Sequence, residues 1–129
     1  MSSAPHAPDA SQLALDQERL RFELELEFVS LFADLTYVEH LSAEGYLQRP
    51  SFRRYLQYLL TTWSTPAYAA YVRFPLSLLH LRLAVYDDSF LELVANADAV
   101  AELRGAEIAA WRSAAAPTQR RSSEVREAR

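Results

Sequence analysis

The side chains that could carry chemistry in this chain are few and lie far apart. There are three histidines, His6, His40 and His80, and no cysteine, so thiol nucleophiles and thiolate metal sites are excluded. His40 and Glu44 are four residues apart, the spacing that puts two metal ligands on one face of a helix. Because no further ligand is spaced to join them, we interpret them as an ordinary exposed pair and predict no metal site.

His80 leaves two hypotheses open. It lies in an apolar segment, 76–86, where it could be a histidine at the edge of the core with one hydrogen bond. Alternatively, His80 and carboxylates could form the site of a small helical enzyme or cofactor-binding domain. No Gly-x-Ser-x-Gly segment presents a serine nucleophile, and the two glycines, Gly45 and Gly105, are too far apart to build a phosphate loop. We therefore predict a non-enzyme that needs no cofactor.

Three glutamates in the segment 22–28, FELELEF, could suggest paired carboxylates. The strict alternation is typical of a half-buried strand. Counting at about 100° per residue instead groups Glu23 and Glu27 on one narrow polar face, with apolar residues around most of the remainder. The residues before this segment also have helix-forming composition. We therefore predict one helix over 13–33, whose wide apolar arc must be covered on two sides.

Glu23 and Glu27 share that polar face, whereas Glu25 points away from them and interrupts the apolar arc. Two like charges four residues apart slightly destabilise a free helix. The pair is either a solvated acidic stripe or a docking edge for a basic segment of a partner, and catalysis is the least favoured hypothesis. We retain Glu23 and Glu27 as candidate partner-binding residues.

Aromatic residues are concentrated in one part of the chain: eight of the fifteen lie within 46–74. Phe52, Tyr55 and Trp63 fall on one stripe of a predicted helix, so we expect them in the core. Two short helical turns are expected at about 99–104 and 106–112, separated by Gly105, and Trp111 in the second turn is the last strong core candidate.

Three tyrosines do not fit that core stripe. Tyr58 lies off it, and Tyr68 and Tyr71 lie on a short, alanine-rich helix with little else to bury. Tyrosine combines an apolar ring with a polar tip, which suits an interface. Grooves lined with Tyr and Trp also hold extended, proline-rich peptides. We predict that Tyr58, Tyr68 and Tyr71 contact a partner.

The elements that must position these residues are helices. Prolines at 50, 66 and 75 mark helix starts, glycine is scarce, and leucine and alanine are abundant. The segment from Pro75 to about Asp87 is apolar nearly all round and should be the central helix. We predict an all-α fold, a small antiparallel bundle with short additional helices. The helical domain should cover 13–112, between a disordered arm at 1–12 and a disordered tail at 113–129.

The charge balance excludes one broad class of function. Thirteen basic residues, all arginine, oppose seventeen acidic ones, for a net charge of −4. This is not the electrostatic pattern of an autonomous DNA or RNA binder. Only the tail, with four arginines, could touch nucleic acid weakly. We expect no sequence-specific nucleic-acid binding, no secretory signal and no membrane span, because the longest apolar stretch, 76–86, is far shorter than a spanning helix.

Several segments together, in order and at matching spacing, resemble one known family, that of Mediator complex subunit 31. The first is RFELELEFV at 21–29, and the next are Gly45-Tyr46 and YLQYLL at 55–60. They are followed by Trp63, Pro66-Ala67-Tyr68, Phe74-Pro75, LVANA at 93–97 and Trp111. The resemblance covers about 20–112. The connection over 61–66 is one residue longer than the family pattern, and the family's aromatic before the tryptophan is Thr62 in this chain.

The resemblance implies a non-catalytic subunit in the middle module of Mediator, the nuclear coactivator that bridges gene-specific regulators and RNA polymerase II. It also implies a small antiparallel helical bundle. The expected partners are other Mediator subunits, chiefly the N-terminal part of subunit 7, which includes proline-rich stretches. The residues alone predict an all-helical interaction module with surplus tyrosines, and the family supplies the identity of its partner.

Overall fold

A computed structural model describes residues 9–115, and it is all-α over that range. Seven α-helices follow in chain order, with a 3₁₀ helix at Tyr46–Gln48 between the second and third. We number them α1 (Ala10–Leu31), α2 (Leu35–Ala43), α3 (Pro50–Trp63), α4 (Pro66–Ala69), α5 (Pro75–Tyr86), α6 (Asp88–Val94) and α7 (Ala97–Ala115). The alternating segment 22–28 lies within α1, so the prediction of helix there is confirmed.

Local chemistry explains where most of the helices begin. Three aspartates accept hydrogen bonds from backbone amides of the first turn: Asp9 in α1, Asp34 in α2 and Asp87 in α6. Such caps satisfy N–H groups that have no partner within the helix. Proline occupies the first position of α3, α4 and α5, where its missing N–H costs nothing. After α2 the chain turns at Gly45, whose φ of 80° favours glycine.

The helix α5 is central, as predicted, and packs against α1, α3 and α6, while α2 packs against α6 and α7. The second half of α1 contributes Val29 to the core. Trp63 is the largest completely buried side chain. The core is filled by fifteen buried apolar residues: Val29, Phe32, Leu35, Val38, Leu41, Leu47, Leu56, Leu59, Leu60, Trp63, Leu81, Ala84, Phe90, Val94 and Val100.

The buried face of α5 is more polar than its sequence suggests. Ser77 and His80 are completely buried beside Leu81, whereas Leu79 is half exposed. His80 Nδ1 lies 2.6 Å from the Phe32 carbonyl oxygen, and its Nε2 lies 2.6 Å from Glu107 Oε2. The histidine therefore lies inside the core with two hydrogen bonds, and the expectation of a core-edge position with one bond was wrong. These bonds join α5 to the end of α1 and to α7.

The C-terminal helix differs from the prediction in two respects. A single helix, α7, runs through Gly105 without a break. A glycine lowers helix stability by only about 1 kcal/mol relative to alanine, so tethering by His80 and Glu107 can outweigh it. Trp111, predicted to be buried, is 73% exposed, because only the first half of α7 meets the bundle.

The first half of α1 also extends beyond the bundle. Every residue from Ala10 to Arg21 is exposed, whereas buried and half-buried residues follow from Phe22 onward. Residues 1–8 and 116–129 lie outside the described range, and so do most of the arm and tail predicted at 1–12 and 113–129. Where the description overlaps them, at 10–12 and 113–115, the chain is helical. Within 9–115, no helix has the length and hydropathy that crossing a membrane requires.

Candidate partner-binding site

The inner face of α1 presents a carboxylate to the core. Glu25 is 7% exposed, and its side chain accepts a hydrogen bond from Trp63 Nε1 at 3.1 Å. The Tyr58 hydroxyl lies 3.2 Å from Glu25 Oε2 and 3.4 Å from Oε1, and it donates to this carboxylate. Arg21, one turn earlier, brings its Nε to 3.8 Å from Oε2. The buried charge is thus compensated by two donors and one cation.

Sequence reasoning missed this role of Glu25. Three glutamates alternate over 23–27, and the turn of the helix sends the middle one inward and the other two outward. The only signal in the sequence is that Glu25 interrupts the apolar arc. Its two hydrogen-bond donors lie 33 and 38 residues further along the chain, so no local pattern reveals them.

A cleft of about 700 Å³ opens beside Glu25, between the projecting half of α1 and the helices α3 and α4. Tyr58 and Tyr68 both line it. Its walls combine aromatic rings, charged side chains and the exposed inner face of α1. The other lining residues are Gln12, Leu15, Asp16, Glu18, Arg19, Arg21, Phe22, Glu25 and Thr62.

An aromatic cluster forms one wall of this cleft, with Phe22 at its centre. The Phe22 ring lies 5.2 Å from Trp63, 5.9 Å from Tyr68 and 5.1 Å from Tyr71, the last at an edge-on angle of 87°. Edge-on and tilted aromatic pairs at these distances are attractive. Tyr71 therefore flanks the cleft through Phe22, and it remains 61% exposed.

The Tyr58 hydroxyl is held in its protonated, donating form. Burial raises the pKa of Tyr58, and the negative charge of Glu25 and the hydrogen bond to it raise it further. Its ring stacks on Tyr55, with centroids 6.0 Å apart. Tyr58 thus presents its ring to the cleft, while its hydroxyl is hydrogen-bonded to the buried Glu25.

The structure separates the five predicted partner-binding residues into two groups. Tyr58 and Tyr68 line the cleft, and Tyr71 borders it. Glu23 and Glu27 are exposed on α1 but belong to neither the cleft nor its aromatic wall. The two groups therefore define two surfaces, an inner cleft and an outer acidic face.

Two other expectations about aromatic residues need correction. Tyr55, predicted in the core, is 41% exposed, because it lies at the edge of the α3 stripe and packs on Tyr58 and Phe28. Phe52 is only partly buried, in contact with Tyr46 and Phe28. Trp63 is the member of that stripe that is completely buried.

Neither His40 nor His80, the two histidines within 9–115, belongs to a group of side chains that could hold a metal ion. His40 and Glu44 are not buried, and within 9–115 no three histidine or acidic side chains come together to hold a metal ion. His80 is completely buried, and the carbonyl of Phe32 and the carboxylate of Glu107 engage its two ring nitrogens. The ring therefore forms a structural tether between the end of α1 and α7.

Comparison with known proteins matches most of this chain to one family. A family model described as Med31 (SOH1) matches residues 19–115. The chain is 31% identical over 112 residues to "Mediator of RNA polymerase II transcription subunit 31" of Saccharomyces cerevisiae, covering 80% of this chain and 85% of that protein. It is 40% identical over 79 residues to the Danio rerio protein of that name, covering 61% of this chain and 57% of that protein.

The matched share of other relatives is smaller. The Caenorhabditis briggsae protein of the same name is 38% identical over 80 residues, covering 62% of this chain and 46% of that protein. The chain thus spans about half the length of several curated relatives that it matches.

Proposed function

The chain belongs to the Med31 (SOH1) family, and from that premise we propose that it acts as a non-catalytic subunit of the Mediator coactivator in the nucleus. In this function it binds other Mediator subunits, within the middle module, and helps to bridge gene-specific regulators and RNA polymerase II. Its contribution is a folded surface for protein contacts. The buried, doubly bonded His80 is consistent with this function, since it offers no free ring nitrogen to a substrate.

The observation that carries the assignment of a partner is the cleft beside Glu25. It is large, bordered by rings that stay accessible, and polar at its base. A proline-rich segment in the polyproline conformation is already extended, so it loses little entropy when it docks against tyrosine rings. We propose that the N-terminal part of Mediator subunit 7, with its proline-rich stretches, occupies this cleft through Tyr58, Tyr68 and Tyr71.

A binding experiment with matched variants tests this assignment. The full chain is mixed with an N-terminal fragment of subunit 7 from the same organism, and affinity is measured by calorimetry. We expect Tyr71→Ala and Tyr68→Ala each to weaken binding by about 1–4 kcal/mol, as interface tyrosines do. Tyr86→Ala is the matched control, because Tyr86 is 66% exposed at the far end of α5.

Melting curves of the unbound variants separate interface from core. Tyr71→Ala should melt close to the parent chain. If Tyr71→Ala instead unfolds like Trp63→Ala, the tyrosine is a core residue and its assignment to the interface is wrong. Equal loss of binding in Tyr71→Ala and Tyr86→Ala would also contradict the cleft as the binding site.

A further inference from the structure

The outer face of α1 carries leucines where a solvent-facing helix normally carries polar residues. Leu13, Leu20, Leu24 and Leu31 are 46%, 56%, 57% and 42% exposed. With Gln17 and Glu27 they complete a spacing of 4-3-4-3-4 along the helix. This is the heptad spacing by which one helix packs along another. We call these six residues the outer seam.

The outer seam lies opposite the face that packs on the bundle. Glu25 and Val29, the buried residues of α1, point to the core. At about 100° per residue, the leucines of the seam lie roughly 140° or more from Val29. No part of 9–115 buries them, and a row of four half-exposed leucines is more than the scattered apolar residues of an ordinary surface.

An acidic edge runs beside the outer seam. Glu23 and Glu27 are exposed, lie one helical turn apart, and do not line the inner cleft. Among the described residues, no basic side chain forms an ion pair with either of these two carboxylates. Of the two arginines on α1, Arg21 brings its guanidinium toward Glu25 on the inner face, and Arg19 lines the inner cleft. The seam is therefore apolar with a negative border.

We propose, building on the proposed function, that the outer seam docks an amphipathic helix of a partner subunit, with an apolar stripe at heptad spacing flanked on one side by lysine or arginine. Heptad spacing specifies a helix, and the acidic edge specifies the sign of its charge. This occupant is distinct from the extended segment assigned to the inner cleft. The two partner segments would bind the projecting half of α1 on opposite sides.

The same charges disfavour a second copy of this chain as the occupant. In a parallel pair of α1 helices, Glu27 would face Glu27 in the seam. In an antiparallel pair centred between Leu20 and Leu24, the two Glu23 carboxylates would lie close together. Like charges placed together across an interface oppose association.

A first experiment measures the chemistry of the seam with designed probes. Two fluorescent synthetic helices carry leucine at heptad positions; one has lysines at the positions that face the acidic edge, the other glutamates. Binding to the full chain is followed by anisotropy at low and high salt. We expect the lysine probe to bind about tenfold tighter at low salt, as two exposed charge pairs allow, and the preference to shrink with salt.

Paired variants locate the binding. Leu20→Ala with Leu24→Ala should abolish binding of the lysine probe, and Glu23→Lys with Glu27→Lys should invert the preference between probes. Leu79→Ala with Tyr86→Ala is the control, because these side chains are comparably exposed on α5. Equal affinity for both probes, or binding that survives the leucine variant, would overturn the assignment. So would a homodimer in sedimentation that the leucine variant dissolves.

A second experiment identifies the natural occupant. A photo-crosslinking amino acid at Leu24 is used in Mediator purified through this chain. A crosslink to a helical, lysine- or arginine-flanked segment of another subunit supports the assignment. A crosslink to a second copy, to an acidic or extended segment, or to nothing overturns it. If the chain binds the lysine probe but does not assemble with Mediator subunits, the proposed function fails while the docking chemistry stands.

Discussion

The two faces of α1 differ in a way that reverses the usual pattern of an amphipathic helix, because a charged residue is buried and leucines are exposed. On the inner face, Glu25 is buried among aromatic rings, whereas on the outer face Leu20 and Leu24 are exposed. The inner carboxylate is tolerated because Trp63 and Tyr58 donate hydrogen bonds to it. No residue within 9–115 covers the outer leucines enough to bury them. The comparison teaches that the folded chain satisfies its buried carboxylate by itself, whereas the outer leucines are the side chains that the proposed partner helix would cover.

The largest effect should come from the inner face. Trp63→Ala removes a completely buried ring and leaves both a cavity and a carboxylate without its indole donor. We expect a loss of about 3–5 kcal/mol in the free energy of unfolding. Chemical denaturation followed by circular dichroism measures it. A loss below about 1 kcal/mol, the range of ordinary substitutions, would mean that the inner face is not the packed side of α1.

The second-largest effect is a difference in stability among alanine variants of three neighbouring glutamates. Glu25→Ala strands the Trp63 N–H and should cost about 1–3 kcal/mol. Glu23→Ala and Glu27→Ala, the matched controls on the outer face, should each stay within about 0.5 kcal/mol of the parent. Denaturation of all three variants makes the test. Equal effects at the three positions would contradict the division of α1 into two faces.

A smaller effect should appear at alkaline pH. Burial and Glu25 raise the pKa of Tyr58 above its ordinary value of 10.0, and burial raises the pKa values of Tyr55 and Tyr37. Below pH 10 both folded and unfolded states keep these protons. As the pH rises beyond 10, the unfolded state ionises first, so stability is lost as the pH passes through the folded pKa.

The Tyr58→Phe variant isolates one part of that alkaline loss. Denaturation at a series of pH values above 9 should show a shallower decline for Tyr58→Phe than for the parent chain. The reason is that the variant has no hydroxyl proton to lose beside Glu25. Parallel curves for the two proteins would show that Tyr58 titrates alike in the folded and unfolded states.

The smallest effect belongs to the outer face. Leu20→Ala together with Leu24→Ala should leave the free energy of unfolding of the isolated chain within about 0.5 kcal/mol, because these side chains are exposed and alanine favours helix. The same pair should weaken partner binding, so stability and binding separate. A loss above about 2 kcal/mol, the least that truncating a buried leucine costs, would show that the leucines are packed in the folded chain.

Much of the fold follows from the sequence, and the failures share one cause. Prolines at helix starts and the polar spacing in α1 indicated helices correctly, because these are local rules. Trp111 was placed in the core because it is large and aromatic, yet whether it is buried depends on how far α7 reaches beyond the bundle. Gly105 suggested a break, but α7 continues through it, and Glu107 beyond the glycine is tethered to His80.

The candidate site shows the same division. Tyr58 and Tyr68 could be selected because they do not fit a core stripe, and the structure places both on one cleft. That Glu23 and Glu27 lie on a different surface could be anticipated only once α1 was known to meet the bundle along Glu25. The sequence alone identifies both sets of residues but does not show that they lie on different surfaces.

By itself, the sequence determined the helical class, the helix starts at Pro50, Pro66 and Pro75, and the separation of Glu25 from Glu23 and Glu27. These features follow from hydrogen bonds and side-chain periodicity, which act over short stretches of chain. Only the tertiary structure decided which of these faces is buried. That choice depends on Tyr58 and Trp63, which approach Glu25 from α3 and supply the donors that a buried carboxylate requires. With Glu25 held inside, the rotation of α1 is set, and the four leucines of the outer seam must face outward.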